Sequence, residues 1–293
     1  MSHEPLLLGR VALVTGASRG LGRAIAEALW REGASLWMVA RSAAGLDELA
    51  SALAPRALAD QRVETLAADL ADPAAPRHIA EQVVARFGRV DVLVNNAALI
   101  GPIGRLWESD EQAWDETLRV DLLAPVALCR AVVPGMIARG AGRIVNVSGG
   151  GASTPLPHFS AYATAKAALV RFSETLGREL DGSGVEVNCL GPGALDTDMH
   201  ARIREAGPER AGADMHGLAL EVARTGGASM ERAAALCVFL ASSRSRGISG
   251  RLLSAVWDPW TQLEHRVEEL AASDVYTLRR IVPADRGKDW NPT

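Results

Sequence analysis

Thr15-Gly16-Ala17-Ser18-Arg19-Gly20-Leu21-Gly22 is the stretch that decides the fold. It follows an apolar run, Val11-Ala12-Leu13-Val14, and precedes a helical pattern from Ala24 to Trp30. A strand, a tight glycine-rich turn and a helix in that order form a phosphate cradle. The turn exposes backbone N–H groups, and the helix N-terminus adds the positive end of its dipole. Gly16 lets the chain leave the strand sharply, Gly20 lets backbone approach a pyrophosphate, and Gly22 lets the helix pack tightly on the sheet. Three glycines alone could form an ordinary turn. The strand before them and the helix after them favour a dinucleotide site.

Outward from this loop, strand and helix signals alternate. Strands are predicted at Arg10–Thr15, Ala34–Ala40, Arg62–Ala68, Val90–Asn95, Arg143–Ser148 and Val185–Leu190, with a last one at Ile248–Val256. Helices are predicted at Gly20–Glu32, Ala44–Leu58, Ala75–Phe87, Phe159–Leu180 and Met230–Ala241, the last capped by Ser229. A long helix from about Glu111 to Arg139 contains Pro125 and Pro134, so a kink is expected. The alternation implies an α/β fold, a Rossmann-type doubly wound parallel sheet of about seven strands flanked by helices. No linker interrupts residues 1–256, which read as one dinucleotide-binding catalytic domain. Asp198 to Gly227 is long, polar and glycine-containing, with only a weak helical pattern, and reads as a mobile lid. Residues 257–293 form a charged, amphipathic C-terminal extension, with a short helix at Leu263–Ala272 and a frayed end. It is expected to pack on the body or on a partner subunit. Trp257 and Trp260 could line a substrate cleft, but packing of the extension is the simpler reading.

Composition narrows the class. The 293 residues are 48% apolar, with 31 basic and 35 acidic side chains and a net charge of −4. That balance suggests neither a nucleic-acid surface nor a polybasic membrane tail. Cys129, Cys189 and Cys237 are scattered in apolar surroundings and read as buried free thiols in a reducing compartment. His200 and His216 are too isolated to be metal ligands, and no metal is expected. Met1–Gly9 lacks the pattern of a signal peptide, and no run was expected to reach transmembrane length. A cytoplasmic protein is therefore expected.

Dinucleotide sites usually carry an acid at the end of the second strand, where it bonds the adenosine ribose. Here that strand ends Val39-Ala40-Arg41-Ser42, with Ala40 in the acid's place. Arg41 can face a 2′-phosphate, and Arg19 could join it, which favours NADP(H) over NAD(H). Asp69-Leu70, after the third strand, could hold the adenine amino group. A helix cap or turn role for Asp69 is the alternative. Tyr162 and Lys166 stand four apart on one helix face. A nearby ammonium, with the positive charge of an oxidised nicotinamide, is expected to lower the phenol's pKa so that Tyr162 can exchange a proton with an alcohol or carbonyl.

With these residues in place, the chain resembles the short-chain dehydrogenase/reductase family in its single-domain branch, from about Arg10 to Val256. The loop is similar to that family's T-G-x-x-x-G-x-G, Asn95-Asn96-Ala97-Ala98 to its N-N-A-G, and Tyr162-x-x-x-Lys166 to its Y-x-x-x-K. Pro192-Gly193-Ala194-Leu195-Asp196-Thr197, preceded by Asn188, is similar to its nicotinamide-contacting P-G-x-x-x-T. The resemblance implies that Lys166 also holds the nicotinamide ribose and that Thr197 holds the carboxamide. Cofactor-binding candidates are thus Gly16, Ser18, Arg19, Gly20, Leu21, Gly22, Arg41, Ser42, Asp69, Leu70, Asn96, Ala97, Tyr162, Lys166, Pro192, Gly193, Leu195 and Thr197.

Three departures stand out. The family's serine, thirteen residues before the tyrosine, is Gly149 here; Ser148 is one step earlier and is expected to polarise the reacting oxygen, while Ser153 lies nearer the tyrosine. The family's fourth-helix asparagine, part of a water relay to the lysine, corresponds to Asp121. The usual D-G-G after the last strand is replaced by Trp257-Asp258-Pro259-Trp260. The catalytic candidates are Tyr162, Lys166, Ser148 and Asp121. The reaction implied is interconversion of a small-molecule secondary alcohol and a ketone or aldehyde, in a homodimer or homotetramer with Phe159–Leu180 as an interface element. Alternatives are a dinucleotide-binding regulatory or scaffold protein without turnover, and a sugar epimerase using transient oxidation.

Overall fold

A computed structural model describes residues 4–58 and 60–290. Seven parallel strands form one sheet in the order β3-β2-β1-β4-β5-β6-β7. In chain order, β1 is Val11–Thr15, α1 Gly20–Arg31, β2 Ser35–Ala40, α2 Ala43–Leu53, β3 Val63–Ala67, α3 Ala75–Phe87 and β4 Val92–Asn95. Then come α4 Glu111–Leu118, α5 Ala124–Ala138, β5 Gly142–Val147, α6 Ser160–Glu179 and β6 Val185–Gly191. The chain continues with α7 Asp198–Ala211, α8 Ala213–Thr225, α9 Met230–Ala241, β7 Leu252–Ser254 and α10 Val267–Ala271.

The period-2 alternation of the strands sorts the core into two layers. Ala12, Val14, Leu36 and Met38 face one side with α1, α2 and α9, where Ile25, Leu29, Leu46 and Phe239 pack. Val11, Leu13, Trp37 and Val39 face the other side with α3 and α5, and Phe172 and Leu176 of α6 pack there too. Strand order reverses between β1 and β4, and the ligand crevice of such a sheet lies at the strands' C-terminal ends beside that point.

The expected kink at the fourth helix is a π-helical turn, Arg119–Leu123, between α4 and α5. Pro125 sits in the first turn of α5, where its missing N–H is tolerated, whereas Pro134 lies inside α5. The helical run Glu111–Ala138 is long and apolar enough to cross a membrane, contrary to the reading of the sequence. Its Leu128, Cys129, Val132 and Met136 are instead buried against the sheet.

The 198–227 segment also differs from expectation. It holds two helices, interrupted by Gly207 and joined through Gly212, both with positive φ. Ile203, Ala211, Ala219 and Val222 are buried, so tertiary packing supplies what local propensity lacks. β7 is shorter than predicted, because Ile248–Arg251 is a turn in which Asn188 Nδ2 of β6 donates to the Ile248 carbonyl at 2.7 Å.

Beyond β7 the chain returns to the body. Trp260 is buried with its ring 5.8 Å from Phe239, and Leu263 and Leu270 join the same core. The Arg251 guanidinium donates to the carbonyls of Ser273 at 3.0 Å and Val275 at 2.6 Å, and the Leu252 N–H donates to the Tyr276 carbonyl at 2.8 Å. This stretch therefore lies along the β7 edge of the sheet. Met1–His3, part of the signal-peptide reading, and the last three residues of the extension lie outside the described residues.

Candidate active site

Every cofactor candidate lines one cavity of about 1170 Å³ at the C-terminal ends of the strands. Its floor is the loop between β1 and α1. Arg19 stands at the N-cap of α1 without a side-chain cap, and no acid occupies the first turn, so the helix's leading N–H groups face the cavity. Gly22 is needed for close approach: a Cβ there would overlap the Gly16 carbonyl and the Asn96 side chain. Asn96 explains the contact. Its Nδ2 donates to the carbonyls of Thr15 at 3.0 Å and Gly16 at 3.3 Å, holding the loop from beneath. Thr15 Oγ1 accepts from the Asn96 and Ala97 N–H groups at 3.0 and 3.1 Å.

At the end of β2, exposed Arg41 lines the cavity beside Ala40, and Ser42 Oγ caps α2 by accepting from the Gly45 N–H at 3.3 Å. Asp69 Oδ1 accepts from the Ala71 N–H at 3.0 Å, the turn role weighed for it, while Asp69 and Leu70 both border the cavity. Arg19 does not simply converge with Arg41: it forms an ion pair with Asp198 at the start of α7. Both side chains of that pair are exposed, so water screens it. Pro192, Gly193, Leu195 and Thr197 form the wall beyond β6, with Thr197 at the N-cap of α7.

Tyr162 and Lys166 project from α6 into the same cavity, with Lys166 Nζ 5.6 Å from the Tyr162 ring centre. Asp121 lies outside the cavity lining, fully buried on the π-helical turn behind Lys166. Its Oδ2 is 3.2 Å from Lys166 Nζ, and its Oδ1 accepts from the Leu99 N–H at 2.7 Å. Lys166 also donates to the Val147 carbonyl at 3.1 Å. An ammonium has three donors, so one remains.

A lowered Tyr162 pKa is expected from Lys166 together with the positive charge of an oxidised nicotinamide; from the chain's own groups the shift runs the other way. Burial pushes the phenol well above its ordinary value, and the Asp121 carboxylate adds to the rise. Paired with Asp121, the ammonium no longer acts as a lone positive charge on the ring. Burial likewise raises the Asp121 carboxyl above the usual carboxylate range, opposed by Lys166 and the Leu99 N–H.

Around the hydroxyl, a Cβ at Gly149 would overlap the Tyr162 Oη. The tyrosine occupies the volume that a side chain at 149 would need. Ser148 Oγ is buried in the cavity wall and has no hydrogen-bond partner among the described residues, while Ser153 is exposed at the cavity edge.

The sequence reading missed much of the lid-side wall: Met199, His200 and Ile203 of α7, and Met215 and Leu218 of α8. Met199 and Ile203 are spaced i, i+4, and Met215, Leu218 and Val222 i, i+3, i+7, a helical signal diluted by neighbouring charges and glycines. Burial pushes the His200 pKa down, opposed by a hydrogen bond to the Leu195 backbone. The two tryptophans of the extension part company, Trp260 packing in the core and Trp257 standing exposed at the cavity mouth. The three cysteines are free and buried, their thiols pushed up to about 12 by burial. Among the described residues, no group of three or more His, Cys, Asp or Glu side chains could hold a metal ion.

Residues 10–207 match the short chain dehydrogenase family. The chain is 34% identical over 245 residues to the 3-oxoacyl-[acyl-carrier-protein] reductase FabG of Salmonella typhimurium, covering 84% of this chain and 95% of that one. It is 36% identical over 247 residues to D-threitol dehydrogenase of Mycolicibacterium smegmatis, covering 83% and 89%. Its fold is similar to that of L-sorbose reductase from Gluconobacter frateurii, solved with NADPH and L-sorbose, with a TM-score of 0.76 and 35% identity over 86% of this chain and 97% of that one.

Proposed function

The chain belongs to the short-chain dehydrogenase family of oxidoreductases, and on that premise we propose that it interconverts a small-molecule secondary alcohol and the corresponding ketone or aldehyde with NADP(H). The observation that carries the nucleotide reading is the uncapped, acid-free N-terminus of α1 opening into the cavity, with Ala40 where an NAD site would carry an acid and Arg41 beside it. These residues fit the group. The Gly16–Gly22 backbone would hold the pyrophosphate, and Arg41, with the Ser42-capped start of α2, the 2′-phosphate. Asp69 and Leu70 would border the adenine, and the wall from Pro192 to Thr197 would border the nicotinamide. When bound, NADP(H) supplies or accepts the hydride.

The chain's own residues manage the proton. Tyr162 Oη donates to the carbonyl oxygen in reduction and accepts from the hydroxyl in oxidation. Lys166, fixed by Asp121 and the Val147 carbonyl, has one donor left for the nicotinamide ribose. Ser148, whose buried hydroxyl lacks a partner, polarises the reacting oxygen, and Asp121 supports the proton relay through Lys166. This reading also places the chain in the cytoplasm as a homodimer or homotetramer with α6 as an interface element. Light scattering reads the assembly.

Titration of the protein with NADPH and NADH, repeated with Arg41→Ala, tests the nucleotide. A charge-assisted hydrogen bond is worth about 1.5–3 kcal/mol, so NADPH binding should weaken roughly 10- to 100-fold while NADH binding barely changes. Equal loss for both nucleotides would refute the role given to Arg41. Turnover that survives Tyr162→Phe would refute the role given to the tyrosine. Absent turnover with intact NADPH binding favours the scaffold reading, for which Gly149 and Asp121 are the motive.

A further inference from the structure

The cavity exceeds the roughly 300–1,000 Å³ of a typical ligand pocket, which leaves room for a second molecule beside the cofactor. That room lies between Tyr162 and the lid. Its walls are Leu156, Met199, Ile203, Met215, Leu218 and Trp257, all apolar. Two of them are exposed although they face the cavity, Leu218 at 42% and Trp257 at 84%. An exposed apolar rim on a concave site marks surface that a ligand covers.

The charges lining the cavity are already engaged or lie elsewhere. Of its cations, Arg19 pairs with Asp198, Lys166 pairs with Asp121, and Arg41 stands at the end of β2, where the adenosine would bind. No other Lys or Arg among the described residues lines it. Of the acids on this side, Asp196 is 3.6 Å from Arg204, and Asp258 Oδ2 accepts from the Ser254 N–H at 2.6 Å. Polar groups free to meet a substrate gather near Tyr162 and the start of α7. They include the Ser148 hydroxyl, the exposed Ser153 and Thr197 at the N-cap of α7, whereas His200 is tied to the Leu195 backbone.

A polyhydroxylated substrate needs convergent donors and acceptors along its length, and an anionic one needs a cation; unmet polar groups in a buried site lower affinity steeply. We infer that the substrate is an uncharged ketone, or the matching secondary alcohol, with a predominantly apolar body, its oxygen at Tyr162 and its carbon skeleton between the α7–α8 lid and Trp257. This rests on the oxidoreductase reading and specifies its substrate class.

The test is NADPH-dependent reduction of a graded ketone set: cyclohexanone, 4-methylcyclohexanone and 4-tert-butylcyclohexanone, against L-sorbose as the polyhydroxylated arm and 5-ketogluconate as the anionic arm. Calorimetric binding of the same compounds to the full chain in the presence of NADPH accompanies it. On the inference, kcat/KM rises along the cyclohexanone series by about fourfold per added carbon and exceeds that of both polar ketones by more than 100-fold. Trp257→Ala should raise KM for the bulkiest ketone about tenfold with kcat and NADPH affinity unchanged. Preference for L-sorbose or 5-ketogluconate in turnover or binding overturns the inference, and so does binding of none of the five. Binding of the apolar ketones without turnover supports the substrate class and instead overturns the oxidoreductase reading.

Discussion

Gly149 offers the sharpest test of how Tyr162 is seated. It stands where the family pattern has a serine, so the natural repair is Gly149→Ser. The geometry argues that this repair does harm. The Tyr162 hydroxyl lies in the volume of the missing Cβ, whereas real Cβ atoms essentially never come within 3.0 Å of another heavy atom. The hydroxyl would therefore have to retreat by about 1 Å or more, and a misplacement of ~1 Å costs on the order of 100-fold in rate, about 2.7 kcal/mol of barrier. Gly149→Ala isolates the steric effect, and Gly149→Ser adds a donor that can return part of the loss. Both should lower kcat with NADPH affinity and melting temperature near those of the parent, because the three heavy atoms nearest the added Cβ all belong to Tyr162. Steady-state reduction of the best ketone reads kcat, and a nucleotide titration reads affinity. Parent-level kcat in Gly149→Ala would refute the reasoning, since Tyr162 would then be free to reseat at no cost. A gain in Gly149→Ser over both parent and Gly149→Ala would show that the missing hydroxyl, not the seating of the tyrosine, limits the reaction.

Other expectations follow from the same contacts. Asp121→Asn removes a carboxylate that raises the Tyr162 pKa, so the phenolate forms at lower pH and the rising limb of alcohol oxidation in a pH–rate profile moves acid-ward; no movement, or an alkaline one, contradicts the coupling. Ser148→Ala should lower kcat roughly 100-fold, in the range of a lost oxyanion donor, with nucleotide binding kept; unchanged turnover dismisses Ser148 as the polarising group. Trp260→Ala removes a buried indole from the core it shares with Phe239 and should destabilise by about 3–5 kcal/mol, read as a lower denaturation midpoint. A loss below ~1 kcal/mol would mean that the extension is not anchored there.

Local pattern carried the sheet into the sequence. The alternation Val11/Leu13 against Ala12/Val14 names two faces, and the structure sends them to opposite layers. α3 and α9 keep their predicted ends, Ala75–Phe87 and Met230–Ala241, the latter with the expected Ser229 cap. The lid was illegible because its helices lean on tertiary contacts. Gly207, Pro208 and Gly212 break the pattern, while Ile203 and Ala219 are buried only once α7 and α8 fold over the site. In the site, spacing put Tyr162 and Lys166 on one face, yet the sign of the electrostatics was not local. It depends on a carboxylate forty-five residues before Lys166, delivered by a π-helical turn, and on burial that no spacing encodes.

Two of the three departures from the family pattern act on one residue. Replacing an asparagine by Asp121 turns a lone ammonium into a buried neutral pair, which withdraws the charge that would favour a phenolate. Replacing a serine by Gly149 opens the volume in which the Tyr162 hydroxyl is seated. The first change adds to the burial that holds Tyr162 as a phenol, and the second leaves room where that phenol stands. A neutral phenol is the form that donates a proton to a carbonyl, whereas alcohol oxidation needs its conjugate base. Taken together, the changes suit a proton donor working in the direction of reduction. Because burial is the larger cause of the raised phenol pKa, Asp121→Asn alone should shift the oxidation limb without moving it all the way to neutrality.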